Sequence, residues 1–134
     1  MTECHTGRCL CGGVRYEVRG PLRDVVNCHC TTCRRGGFTA NVGVARSDFV
    51  VLADRSLRTY ASSPVVNRLF CGICGAPICW DPLRRDFVVI SAGSLDQPTR
   101  LKTAGHIYTA NKPDYYEIRD DLPTYPGPMH EQEH

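Results

Sequence analysis

The chain has 134 residues, 42% of them hydrophobic and 22% charged, with a formal net charge of +2. That size suits a single domain over 1–134, and the composition excludes disorder. So mild a charge leaves no electrostatic footprint for nucleic acid, and no stretch approaches the roughly 18 consecutive apolar residues of a membrane span.

From the start of the chain, Met1 to Gly13 carries no apolar signal-peptide core, which predicts a cytoplasmic protein. Cys4 and His5 fall in this stretch, expected to be mobile and unligated. Val14 to Val18 alternates apolar and polar residues and predicts a strand. Val42 to Val44, Phe49 to Leu52, Leu57 to Tyr60, Val65 to Phe70, Ile78 to Trp80, Phe87 to Ser91 and Tyr115 to Ile118 continue the strand pattern. Gly12-Gly13, Gly20-Pro21, Gly36-Gly37, Ser62-Ser63-Pro64 and Gly75-Ala76-Pro77 punctuate them as turns. No long stripe of helical period occurs, and Leu101 to Ile107 is too short and too rich in Gly and Thr for a helix. The fold class is therefore mainly β, built of small sheets. Pro123, Pro126 and Pro128 predict an extended, flexible tail over 124–134.

Nine cysteines demand a chemical explanation. Their odd number and the lack of an export signal argue against a disulfide scaffold. Cysteines two or three positions apart also make strained disulfides, whereas in a reducing compartment such clusters bind metal. Three clusters hold seven of the nine: Cys9-Leu10-Cys11, Cys28-His29-Cys30-Thr31-Thr32-Cys33 and Cys71-Gly72-Ile73-Cys74. Zinc takes about four ligands in a tetrahedron, and short spacings supply two corners at little loop-closure cost. Cys71 to Gly75 has the knuckle form CxxCG, in which glycine lets the backbone turn under the ion. Seven ligands divide into one closed set of four and one open set of three, and an open position is the mark of zinc that does chemistry. Spacing alone leaves the grouping undecided. Cys30 and Cys33 with Cys71 and Cys74 would also make a zinc ribbon.

The segments Gly7-Arg8-Cys9-Leu10-Cys11-Gly12-Gly13-Val14-Arg15-Tyr16, Cys28 to Arg35 and Phe70 to Pro77 resemble the glutathione-dependent formaldehyde-activating enzyme family, whose domain is shared with centromere protein V. Ala92 to Asp96, His106-Ile107 and Lys112-Pro113 look like the family's later landmarks, so the similarity runs from about Gly7 to Pro123. The resemblance implies an Mss4-like fold of small β-sheets pinned by two zinc ions per chain. It implies that Cys9, Cys11, Cys71 and Cys74 hold a structural zinc, and that Cys28, Cys30 and Cys33 hold a catalytic one. It further implies a carbon–sulfur lyase that joins a small thiol such as glutathione to a small aldehyde, as in S-hydroxymethylglutathione synthesis, in a protein that could be a homo-oligomer. Two departures bear on substrate. Arg34-Arg35-Gly36-Gly37-Phe38 is compressed relative to the family's loop, and Tyr115 stands where the family often has tryptophan.

Around the open set, Arg34 and Arg35 are candidates to hold the carboxylates of a peptide thiol, and His106 to line the substrate pocket. His29, between two ligands, is expected to turn its imidazole away or to support the site. Cys79 reads as a small buried strand residue, and Glu117, Asp120 and Asp121 read as solvated surface. Competing functions are a non-catalytic zinc-stabilised binding module and a zinc or thiol homeostasis protein with Cys28, Cys30 and Cys33 as a labile port.

Overall fold

Alternation of β-branched and polar residues gives ten strands in the structure, a computed structural model that describes residues 3–129. They are β1 (His5–Arg8), β2 (Val14–Val18), β3 (Val25–Cys28), β4 (Thr39–Ala45), β5 (Phe49–Asp54), β6 (Leu57–Ser63), β7 (Val66–Cys71), β8 (Pro77–Pro82), β9 (Phe87–Ser91) and β10 (Thr103–Ile107). The described residues contain short 3-10 turns but no α-helix, and no helix is long and apolar enough to cross a membrane. The fold is thus mainly β with small sheets, as the periodicity predicts.

The described residues divide into two compact units, 3–23 with 42–100 and 24–41 with 101–129. In the first, β1, β2 and β5 form an antiparallel sheet in which Gly7 faces Tyr16 and Tyr16 faces Val51. A second ladder runs β9–β8–β7–β6, with the end of β4 beside β9. Val14, Tyr16 and Val18 point inward from alternate positions of β2, and Val42, Val44, Ile78, Val88, Ile90 and Leu95 complete the buried apolar set. Each such side chain contributes about 1.5–3 kcal/mol by leaving water.

In the second unit β3 pairs antiparallel with Thr39–Asn41 of β4 and parallel with β10, which sets Ile107 opposite Cys28. Cys28, Cys33 and Ile107 form a buried apolar cluster with Val26, Cys30, Tyr108, Tyr125 and Met129 packed on it. The segment after Leu122 is tied to β10: His106 N–H donates to Pro123 O, Tyr125 N–H to His106 O and Tyr108 N–H to Gly127 O. Residues 130–134 of the tail lie outside the described residues.

Two sequence expectations are corrected and one is extended. His5 opens β1, so the chain is ordered from there, while Met1 and Thr2 lie outside the described residues. Leu101 to Ile107 forms no helix, as expected, and contains the strand β10. Tyr115 to Ile118 forms no strand, because Tyr116 N–H goes to Pro113 O in a turn and Lys112 Nζ takes Tyr116 O, leaving no free edge for a ladder.

Candidate metal centres

In the first unit the turn after β1 presents Cys9 and Cys11, and the turn after β7 presents Cys71 and Cys74. Their four Sγ atoms all lie within 4.8 Å of one another. Cys9 and Cys11 sulfurs stand 3.6 Å apart, as do those of Cys11 and Cys71. Sulfurs at the corners of a tetrahedron about zinc, with Zn–S near 2.3 Å, stand about 3.8 Å apart. The donor set fits that ion.

Both turns close through glycines in the left-handed region, Gly12 at φ +83° and Gly75 at +81°, where a side chain would be strained. Gly12 N–H donates to Cys9 O and Gly75 N–H to Cys71 O, which folds each pair of cysteines back on itself. The turn amides point at sulfur: Val14 N–H at Cys9 Sγ (3.3 Å), Ile73 and Cys74 N–H at Cys71 Sγ (3.3 Å each). Such donors stabilise thiolate over thiol. The buried Ser56 adds a hydroxyl 3.1 Å from Cys71 Sγ, and this bond, first among several, pulls the Cys71 thiol down to about 5. Sequence reasoning missed Ser56, since an isolated serine in a turn carries no ligand signature. Leu10 and Ile73, at the tips of the two turns, are exposed.

In the second unit the end of β3 and the 3-10 turn Cys33–Gly36 bring together Cys28, Cys30 and Cys33, whose sulfurs also lie within 4.8 Å of one another. Cys30 and Cys33 sulfurs are 3.2 Å apart, and Cys33 N–H points at Cys30 Sγ. Without a cation the three cannot all ionise. Hydrogen bonding with Cys28, then with Cys33, pulls the Cys30 thiol down to about 2, and the bonds with Cys30 and then Cys33 drive Cys28 far up. Among the described residues no fourth Cys, His, Asp or Glu ligand joins this set.

Around it, Arg34 Nη1 reaches Asn111 O at 3.4 Å, while Arg35 is exposed. His106 is buried. It bonds through Nδ1 to His29 Nε2 (3.0 Å) and through Nε2 to Asp120 Oδ2 (2.8 Å). His29 is buried as well, and burial, followed by the nearness of His106 and Lys112, lowers its pKa. Asp120 is exposed, as the solvated-surface reading expects, and its carboxylate also accepts from His106, which holds its pKa down. The ring stacked on His29 is Tyr116, 5.8 Å away, whereas Tyr115 is exposed. Cys4 is exposed beside Glu17, and Cys79 is buried in β8; neither belongs to a cluster.

A mainly β framework carrying two sets of convergent cysteines defines a cysteine-rich protein able to hold metal at two places. Residues 4–111 match the family model of the glutathione-dependent formaldehyde-activating enzyme, and the chain belongs to that family. In fold it is similar to a crystal structure of a Rhodobacter sphaeroides protein, a Northeast Structural Genomics target, with a TM-score of 0.56 and 24% sequence identity over 73% of this chain and 98% of that one. At that identity the likeness speaks for the fold alone. No curated protein matches the chain.

Proposed function

We propose that the chain is a zinc-dependent carbon–sulfur lyase of small aldehydes, joining a glutathione-like thiol to formaldehyde or a similar aldehyde. The observation that carries this reading is the three-cysteine set, convergent and without a fourth protein ligand among the described residues. Family membership supports thiol-dependent, formaldehyde-activating chemistry in general terms. In this reading Cys9, Cys11, Cys71 and Cys74 hold a structural zinc, and Cys28, Cys30 and Cys33 a catalytic one. Zinc at the latter set would supply a Lewis acid that lowers the pKa of a thiol brought to its open position.

The residues of the chain bind and orient the reactants. Arg34, braced on the Asn111 carbonyl, and the exposed Arg35 present guanidinium groups to the carboxylates of a peptide thiol. These cations also offset the negative charge that three thiolates leave at the site. The reaction balances without an external oxidant or reductant. The thiol sulfur forms a bond to the carbonyl carbon, the C=O π bond opens, and the thiol proton ends on the carbonyl oxygen. The cytoplasm, where thiols stay reduced, is the proposed setting.

Exchange NMR on glutathione and formaldehyde, with and without the zinc-loaded protein, tests the reading. A faster exchange that is lost in Cys30→Ser supports it. An exchange rate unchanged by the protein removes this substrate pair.

A further inference from the structure

His29 stands between Cys28 and Cys30 and is wholly buried, as is His106. Imidazoles are costly in a protein interior unless their nitrogens are used, so what these rings bind to matters. The order of their bonds is dictated from one end. A carboxylate can only accept, so His106 donates from Nε2 to Asp120 Oδ2. In a neutral His106 ring Nδ1 is then an acceptor, and His29 donates to it from Nε2. Asp120 thereby fixes the tautomer of two buried rings in succession. Its own orientation is set by Leu122 N–H, which donates to the other carboxylate oxygen.

The planes of the rings are held too. Tyr116 stacks on His29 at 5.8 Å, Phe38 lies 5.3 Å from it, and His106 lies 5.2 Å away. The same stretch of β10 grips the backbone, since His29 N–H donates to Ile107 O and Ile107 pairs with Cys28. The segment Cys28–Cys30 is thus gripped twice, once by backbone and once by the ring at its centre. His29 Nδ1, by contrast, has no partner.

We propose that Asp120 and His106 are positioning residues for the three-cysteine metal set. By locking the tautomer and plane of His29 they fix the backbone from which the Cys28 and Cys30 sulfurs project, and so set the affinity of that set for zinc. This rests on the reading that Cys28, Cys30 and Cys33 bind zinc. Hydrogen-bonded partners standing behind metal ligands are worth about 10- to 100-fold in affinity, which is the effect expected here.

The test is competition for zinc in the full chain, using the chromogenic chelator 4-(2-pyridylazo)resorcinol, with the release phases assigned by Cys30→Ser. Asp120→Ala and His106→Gln should each weaken the zinc of the three-cysteine set at least tenfold and leave the other zinc as in the wild type. Asp120→Asn, which keeps an acceptor oxygen, should fall between. In His106→Ala, imidazole should restore affinity and 1-methylimidazole should not, because it fills the same space but cannot bridge Asp120 and His29. Two zincs released as in the wild type by Asp120→Ala and His106→Gln would overturn the inference alone. So would loosening of both zincs together, or equal rescue by the two imidazoles. A wild-type chain that binds one zinc, unaffected by Cys30→Ser, would overturn the underlying zinc reading as well.

Discussion

Gly13→Ala should destabilise the protein through a residue 43 positions away and, through it, loosen the four-cysteine set. A Cβ at Gly13 would stand 2.1 Å from Ser56 Oγ and 2.9 Å from Ser56 Cβ, distances at which something must move. Ser56 has little freedom to give way. It is 1% exposed, its N–H donates to Gly13 O and its carbonyl accepts from Gly72 N–H. The yielding motion is rotation of the hydroxyl away from Cys71 Sγ, which removes one of the three donors on that sulfur. Overpacking of this kind costs about 1–3 kcal/mol, a large share of the roughly 5–15 kcal/mol that holds a domain together. For a chain of this length it corresponds to a Tm lower by roughly 3–15 °C. Thermal unfolding of the zinc-loaded protein measures it. The Ser56→Gly variant removes both offending atoms, so Gly13→Ala with Ser56→Gly should be about 1–2 kcal/mol more stable than the sum of the single effects predicts. Gly93→Ala, where an added Cβ meets nothing within 4 Å, is the control and should lie within about 0.5 kcal/mol of the wild type. A Gly13→Ala protein as stable as that control, or a double variant that is merely additive, would refute the reasoning.

Cys33→Ser should reduce bound zinc from two to one per chain by elemental analysis while leaving the far-ultraviolet spectrum in place, whereas Cys71→Ser should lower the Tm sharply, because a closed zinc contributes folding energy. Gly75→Ala places a side chain at φ +81° and should cost about 1–2 kcal/mol in urea unfolding; Gly75→Asn, which tolerates that region, should cost less. Burial, with Asp81 adding, pushes the Cys79 thiol from 9.0 up to about 12. The unfolded chain gives up this proton first, so the stability it represents is complete below about pH 9 and drains as pH rises toward 12, at up to about 1.4 kcal/mol per pH unit. Cys79→Val should flatten the pH dependence of urea unfolding over that window, and an unchanged slope would show that Cys79 titrates elsewhere.

What could be read in the sequence was local. Alternation located β2 and β9 to the residue, fell within β4, β5, β6 and β8 and overlapped β7, because a half-buried ladder imposes period two on its own residues; β1, β3 and β10 it missed. The cysteines were legible for a similar reason, since two sulfurs on one tight turn are a short-range pattern. Tyr115 to Ile118 carried a strand-like pattern without a strand, because Pro113 commits the following amides to a turn. Pairings across distance left no trace. Nothing local in Thr103 to Ile107 announces a parallel partner at Val25 to Cys28, and nothing marks Ser56 as a donor to Cys71 or Asp120 as the acceptor for His106. Each of these depends on a long-range contact that single-residue preference does not encode.

Those unread contacts are where the two cysteine sets differ. At the four-cysteine set the long-range donor, Ser56, reaches a sulfur directly and joins two turn amides on Cys71. Donors spread the charge of a thiolate, and four thiolates around a dication carry a net charge of −2 that has to be spread somewhere. At the three-cysteine set the support from Asp120, through His106, ends on the ring of His29, while the Thr39 side chain reaches the Cys33 sulfur. The amides of Cys33 and Thr32 serve Cys30, and cations in the same unit, Arg34, Arg35 and Lys112, stand in the sequence beyond it. A cation held there with three thiolates carries a net charge of −1, and a neutral thiol arriving as the fourth ligand adds no charge until its proton leaves.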